Sequence, residues 1–265
     1  EKEDYEVFNS LMLKTSYPLR KFNEYSKEYL KPILAIRYSP NNTKNISDND
    51  LRLDYNNIFS FNRIGTNEIV EGGKSISLGL EYEKRNLEEK KIIGFNIANS
   101  ISNKRNDNLP TKSKLNETRT DFVGNLSYFP NDILSFDYNF SYEKNFDGSN
   151  YDLISTKINL NNFITNFNFL SEDDNIGNNE VISNSTTYKF NSENSLQFNT
   201  SKDLKNDFTE YYNLIYSYET DCLIASAEFN KKFYRDGSLV PDKSLLFTIR
   251  FIPFAEFKPA ATALN

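Results

Sequence analysis

Apolar and polar residues alternate along most of this chain with a period of two. Between 133 and 143, Leu134, Phe136, Tyr138, Phe140 and Tyr142 fall on one face, and Ser135, Asp137, Asn139, Ser141 and Glu143 on the other. Strict alternation over this length predicts a β-strand with one apolar and one polar face. The same pattern sets Ile76, Leu78, Leu80 and Tyr82 against Ser77, Gly79 and Glu81, and Ile154, Thr156, Ile158 and Leu160 against Ser155, Lys157 and Asn159. Near the end, Leu245, Phe247, Ile249 and Phe251 form a last apolar row. The pattern predicts strands at 7–17, 28–38, 72–85, 90–103, 117–129, 133–145, 150–161, 163–172, 180–190, 194–203, 207–219, 221–235 and 243–253. No helix longer than a turn or two is expected.

These strands are long. Strands in ordinary globular domains average about 5–6 residues, whereas a tilted strand needs about 9–11 to cross the hydrocarbon of a bilayer. Their connections also alternate. Tight reversals at 86–89, Pro130-Asn131-Asp132, Asn161-Asn162, 191–193 and Thr220 alternate with longer links at 39–71, 104–116, 173–179 and 236–242. Short turns on one side and long loops on the other are the layout of an outer-membrane barrel, with the short turns toward the periplasm. The expected fold is therefore all-β, an antiparallel transmembrane β-barrel of about thirteen strands. Bacterial barrels have even strand numbers, so an odd count points to a piece of a larger barrel. Residues 1–258 are assigned to that barrel portion, 39–71 to a long extracellular loop, and 259–265 to a C-terminal tail.

Composition looks at first like a soluble or even disordered chain. The 265 residues carry a net charge of −6 and a mean hydropathy of −0.65. A barrel resolves this, because only alternate residues face lipid while the rest line a wet interior. With 17 Tyr and 22 Phe the chain is too aromatic for disorder. Aromatics near strand ends, including Tyr128, Phe129, Tyr142, Phe146, Tyr188, Phe190 and Phe254, would supply interfacial girdles. A soluble β-sandwich or an Asn-rich adhesive repeat is the competing reading. Sandwich strands are shorter and their loops lack the long and short bias.

Catalytic chemistry finds little purchase. There is no His, which removes His-based acid–base catalysis and His-ligated zinc. One Cys excludes an internal disulfide framework. An isoelectric point near 5.0 argues against nucleic acid. Glu172-Asp173-Asp174 could offer oxygen ligands to Ca²⁺, but a solvated loop is the better reading, as it is for Glu88-Glu89. Gly72-Gly73 opens a strand without a helix behind it, so a loop-to-strand junction is expected, not a phosphate cradle. The many Asn residues, about 38, generate N-x-S/T triplets by chance. Cys222 follows a tight turn on the face of Ile224, Ser226, Glu228 and Asn230. Spacing leaves two readings open, an inert small residue or half of a disulfide to a partner outside this segment. No enzyme site and no cofactor are expected.

The order of certain motifs resembles the LptD family of outer-membrane lipopolysaccharide-assembly proteins. Tyr218-Glu219-Thr220-Asp221-Cys222, Phe229, Phe233-Tyr234-Arg235-Asp236-Gly237 and Pro241-Asp242-Lys243-Ser244-Leu245-Leu246-Phe247 resemble the end of the family's barrel. Asn57-Ile58-Phe59-Ser60, Asn62-Arg63-Ile64 and Glu71-Gly72-Gly73 resemble its long-loop pattern, with Asn57, Phe59, Arg63, Gly72 and Gly73 as the motif positions. Asp121-Phe122-Val123-Gly124, Ser127, Pro130-Asn131-Asp132 and Leu134-Ser135 resemble a central hairpin. Together these span about 28–254.

The resemblance implies a single-chain barrel near the roughly 26-strand end of the known range, preceded by a periplasmic jellyroll-like domain. It implies a plug lipoprotein of the LptE type in the lumen and a periplasmic bridge protein that delivers lipopolysaccharide. The lipid would leave sideways between the first and last strands into the outer membrane, with no covalent step. Cys222 matches a family cysteine paired with the N-terminal region; the family often has two adjacent cysteines where this chain has Asp221 and Cys222. The chain opens at Glu1-Lys2-Glu3 without an apolar leader, which again suggests the C-terminal part of a longer protein. The last strand would be one lip of the lateral gate, carrying Ser244, Leu246, Thr248, Arg250 and, at its end, Pro253, which lacks an N–H to pair. The other functions to weigh are an outer-membrane porin or solute channel and a structural or adhesive barrel.

Overall fold

The computed structural model describes residues 9–65, 69–173, 178–233, 241–252, 255–257 and 262–263. Among them are sixteen strands and no helix: β1 (Leu11–Ser16), β2 (Leu19–Phe22), β3 (Lys27–Ser39), β4 (Gly73–Arg85), β5 (Lys91–Ser102), β6 (Phe122–Tyr128), β7 (Leu134–Tyr142), β8 (Ser149–Leu160), β9 (Phe163–Glu172), β10 (Glu180–Lys189), β11 (Asn194–Asp203), β12 (Phe208–Glu219), β13 (Leu223–Lys232), β14 (Asp242–Phe251), β15 (Ala255–Phe257) and β16 (Thr262–Ala263). The all-β, antiparallel expectation holds. Most strand limits lie within one or two residues of those read from alternation.

The chain divides into two compact units. The first is drawn from Glu1–Pro130, Asp137–Leu153 and Glu172–Asn178, the second from Asn131–Phe136, Ile154–Ser171 and Asn179–Asn265. In the first, β1 and β2 both pair with β3, Leu11 opposite Tyr38 and Leu19 opposite Leu30. Pro18 lies between them, where it removes a donor from what alternation reads as the end of one strand. The ladder continues through β4, β5 and β6, with Ile36 opposite Ile76, Ile76 opposite Ile101, and Ala98 opposite Val123.

One face of this sheet exposes large apolar side chains while the other buries small polar ones beside its core. Ile76 and Leu78 are 43% and 51% exposed, while their strand neighbours Ser75 and Ser77 are buried. On β3, Ile36 and Tyr38 are exposed and Arg37 and Ser39 are buried. The inner face is covered by the two long connections, 40–72 and 103–121. Ile46, Leu53, Ile58, Phe59 and Ile64 from one and Leu109 and Leu115 from the other form the core with Ile33, Ala35, Ala98 and Val123.

Here the structure departs from the pattern. Only Phe122–Tyr128 of the expected 117–129 strand is β6. Residues 104–121 form turns, with Pro110 buried and Lys114 at a positive φ of 58°. Apolar Leu109 and Leu115, spaced for neither period, are buried by the fold-back itself.

In the second unit β9 to β14 pair in chain order, with a register shift between Ser201 and Lys202. One cross-strand row is wholly polar: Asn166, Ser185, Asn199, Asn213, Asn230 and Ser244 stand opposite one another from β9 to β14. The alternate face carries exposed Phe167, Phe198, Tyr212, Leu214, Phe247 and Ile249. The other edge of β14 is partly taken by the end of the chain, with Arg250 opposite Glu256 in β15 and Ser244 opposite Ala263 in β16.

Tight turns reuse one device. The side-chain oxygen of Asn131 accepts from the N–H groups of Ile133 and Leu134 at 3.0 and 2.9 Å, and that of Asn191 from Glu193 and Asn194 at 3.0 and 2.7 Å. Such Asx turns satisfy backbone donors at a reversal.

Candidate functional site: an inward-folded loop and a polar sheet face

Residues 40–72 reach the inner face through a turn built by Asp54 and Asn57. The Asp54 carboxylate accepts from the N–H groups of Asn56 and Asn57 at 2.8 and 3.0 Å, and Asn57 Nδ2 donates to the Arg52 carbonyl at 2.8 Å. That turn delivers Ile58 and Phe59 to the sheet. Phe59 lies over Gly79, where a Cβ would meet its Cζ at 2.4 Å. Ile33, Gly79, Ala98 and Val123 form one cross-strand row on this face, so the small residues at its centre leave room for the ring. Tyr55 meets Phe59 edge-on at 5.7 Å and donates its hydroxyl to Glu81 at 2.9 Å. Burial, and then Glu81, push its phenol well above the ordinary range.

Arg63 is the fixed point of the loop and is 1% exposed. Its Nε donates to Glu71 at 2.9 Å and its Nη2 to the other carboxylate oxygen, while Nη1 donates to Ser100 Oγ at 2.7 Å. Ser77 Oγ reaches Ser100 Oγ at 3.0 Å. Arg37 adds a second guanidinium, 3.4 Å from Glu71, and bonds the Ser60 carbonyl. Burial opposes ionisation of Glu71 most strongly, but Arg63 and then Arg37 outweigh it and hold the carboxyl below its usual range. The fork geometry explains why an Arg occupies this position, since a Lys could not bridge both oxygens in plane.

Gly72 and Gly73 sit at the junction with β4, as expected. Gly73 has φ 104°, and the Gly72 N–H donates to Thr43 Oγ1 at 2.9 Å. Thr43 also ties the second long loop, accepting from Asn106 Nδ2 at 2.9 Å on its hydroxyl and from Asn108 Nδ2 at 3.0 Å on its carbonyl. The motif positions Asn57, Phe59, Arg63, Gly72 and Gly73 are thus one folded object.

Glu172 overturns its expectation. It ends β9 buried, not solvated, and pairs with Arg52, whose guanidinium lies 4.0 Å from the centre of the Tyr151 ring. No cluster of carboxylates, Cys or His suited to a metal exists among the described residues.

In the second unit a run of side-chain hydrogen bonds passes through the polar row at Asn199 and Asn213. Gln197 Nε2 donates to Asn199 Oδ1 at 2.9 Å, Asn199 Nδ2 to Asn213 Oδ1 at 2.9 Å, and Asn213 Nδ2 to Glu228 at 2.5 Å. Asn230 Oδ1 is buried without a partner among the described residues. A cavity of about 530 Å³ lies over this row. Alternation put Glu228 and Asn230 on the polar face, but nothing in it signalled that four Asn would align in register.

Ser244, Leu246, Thr248 and Arg250 stand opposite Asn230, Glu228, Ser226 and Ile224, on the same face as the amide row. Pro253 lies outside the described residues, as do Phe254 and most of the 259–265 tail. Cys222 is a free, exposed thiol in the turn before β13, and its carbonyl accepts from the Ile252 N–H at 2.9 Å.

Long antiparallel strands with one exposed apolar face and one buried or hydrogen-bonded polar face make an all-β protein of the kind compatible with an outer membrane. The family model described as LptD, LPS transport system D, matches residues 10–201, and the chain belongs to that family. The match takes in β1 to most of β11 with both long loops, and stops before Cys222 and β14. A search of curated proteins finds no match.

Proposed function

We propose that these residues form the C-terminal part of an outer-membrane barrel that delivers lipopolysaccharide to the outer leaflet, working as a translocon and not as an enzyme. The observation that carries this is the inverted sheet: Leu78 exposed beside buried Ser77 on β4, in a chain of the LPS transport family. An apolar wall facing outward needs an apolar cover, and for a chain of this family lipid supplies it. In this reading the short turns face the periplasm and 40–72 and 103–121 belong to the cell-surface side, folded inward to close the lumen. The amide row of the second unit suits sugar hydroxyls of the passing lipid or the polar surface of an LptE-like plug, because amides both donate and accept. β14 would be one lip of a lateral gate, with Ser244, Leu246, Thr248 and Arg250 facing the passage. Cys222, exposed next to a periplasmic turn, is placed to pair with a cysteine of the N-terminal region.

The deciding experiment is depletion of the complete protein in cells, scoring lipopolysaccharide in the outer leaflet. Loss of surface lipopolysaccharide is expected. Unchanged lipopolysaccharide with reduced solute permeation would make the protein a diffusion channel instead. For the gate, Pro253→Ala should alter crosslinking of lipopolysaccharide to β14; unaltered crosslinking sinks the role of that proline.

A further inference from the structure

Outside the loop-bearing inner face, the first unit has an outer wall that ends in two cations. Leu13, Ile36, Ile76 and Ile101 stand opposite one another across β1, β3, β4 and β5, with Leu13 63% exposed. One step toward the long-loop end, Leu11, Tyr38 and Lys74 form the next row. Ile36, Tyr38, Lys74, Ile76, Ile101 and Asn103 line a shallow groove of about 670 Å³ on this wall.

Lys74 is exposed, with its Nζ 5.4 Å from the centre of the Tyr38 ring. Arg119 bridges to Ile101 and is likewise exposed, its guanidinium 4.9 Å from the Phe122 ring. Two strand spacings separate them laterally, about 10 Å. Neither has a carboxylate partner among the described residues. Lys144, by contrast, pairs with Glu117, and Lys202 with Asp207. Aromatic faces hold both cations at the rim of an apolar wall, and Arg119 Nε also donates to Asn99 Oδ1 at 3.3 Å, so each keeps its charge without meeting a carboxylate.

We infer that this wall binds a phosphate-bearing glycolipid of the outer leaflet, acyl chains along the Leu13–Ile101 row and phosphate between Lys74 and Arg119. Charge complementarity selects the occupant: an apolar wall alone accepts any lipid, whereas two cations with no carboxylate beside them at the long-loop rim favour an anionic headgroup there. The inference rests on the orientation proposed above, which puts that rim at the cell surface. The site is on the outside of the wall, so it is distinct from the path of the transported molecule. It would hold a resident lipid against the first unit.

The test uses the complete polypeptide in nanodiscs of neutral phospholipid doped with lipid A, dephosphorylated lipid A or phosphatidylglycerol. Native mass spectrometry counts the lipids retained, and protease protection of the strands reports insertion. Lys74→Ala/Arg119→Ala should insert as wild type and retain at least tenfold less lipid A. Wild type should prefer lipid A over both other lipids. Equal retention by wild type and variant, or indifference to the phosphates, overturns the site while leaving the barrel intact. Preference for phosphatidylglycerol overturns the glycolipid as occupant. Failure of wild type to insert would overturn the barrel reading, and this site with it.

Discussion

Arg63 and Glu71, eight residues apart, close the end of the long loop upon itself while both lie buried against the serines of β4 and β5. The loop is therefore held by a charge pair whose partners come from the same connection. Removing Glu71 leaves both Arg63 and Arg37 without a carboxylate in a dry site, and removing Arg63 leaves Glu71 only Arg37 at 3.4 Å; each costs roughly 3–5 kcal/mol. Arg63→Ala and Glu71→Ala should each lower stability by about that much in urea titrations of the inserted protein. The double variant should lose clearly less than the sum. Additive losses would mean the two act independently.

Gly79 should tolerate no larger side chain. Phe59 Cζ lies 2.4 Å and the Ile97 carbonyl 3.2 Å from where a Cβ would stand. Gly79→Val is expected to expel the ring and open residues 40–72 to proteolysis, with the strands still inserted. Phe59→Ala should give similar cleavage and lose roughly 3–5 kcal/mol. A protected loop in both variants would contradict the packing.

Acid should release the loop late. The Glu71 carboxyl is held below its ordinary range, so its contribution is complete above the unfolded value of about 4.3 and fades only as pH falls through the lower folded one. Asp121 has the opposite sign, since burial raises its carboxyl despite the Asn150 hydrogen bond; its protonation on acidification relieves a cost. Protease sensitivity of 40–72 should stay flat from neutral pH to about 4.5, and rise below that. A transition near pH 6 would count against the Arg63 clamp.

Cys222 should react readily with a maleimide in this chain, because its thiol is exposed. In the complete protein it should be blocked until a reductant is added. A thiol free in both settings would favour an inert residue.

The amide row offers one more test. Asn213 joins Asn199 to Glu228, so Asn213→Leu would leave two polar groups short of a partner. A loss of roughly 1–3 kcal/mol is expected, against little change for Tyr212→Leu on the exposed face. Equal effects would mean the two faces are not distinct.

Strand positions were legible because alternation is a local signal, and β9 and β11 have the limits that period two predicts. The long loops were not. Ile58, Phe59, Leu109 and Leu115 read as scattered apolar residues in polar stretches, and only the small residues Ser77, Gly79 and Ala98 on the facing strands hint at where they go. Glu172 was missed for the same reason: its partner, Arg52, is 120 residues away. Short β15 and β16 lack any period to read. The abundance of Asn looked like compositional noise. It divides between turn residues such as Asn131 and Asn191 and the in-register row through Asn199 and Asn213, and that alignment depends on pairing that no single strand encodes.

The apolar cluster around Ile58 and Phe59 has a bearing on how this chain comes to be folded. A sheet with amides inside and aromatics outside has nothing to collapse around in water, and the second unit is such a sheet. On the membrane reading proposed above, its order would be gained together with entry into lipid. The first unit has an interior of its own, stitched from two loops, and on the same reading would keep its loops seated when a bilayer is exchanged for detergent. The two units thus answer to different solvents.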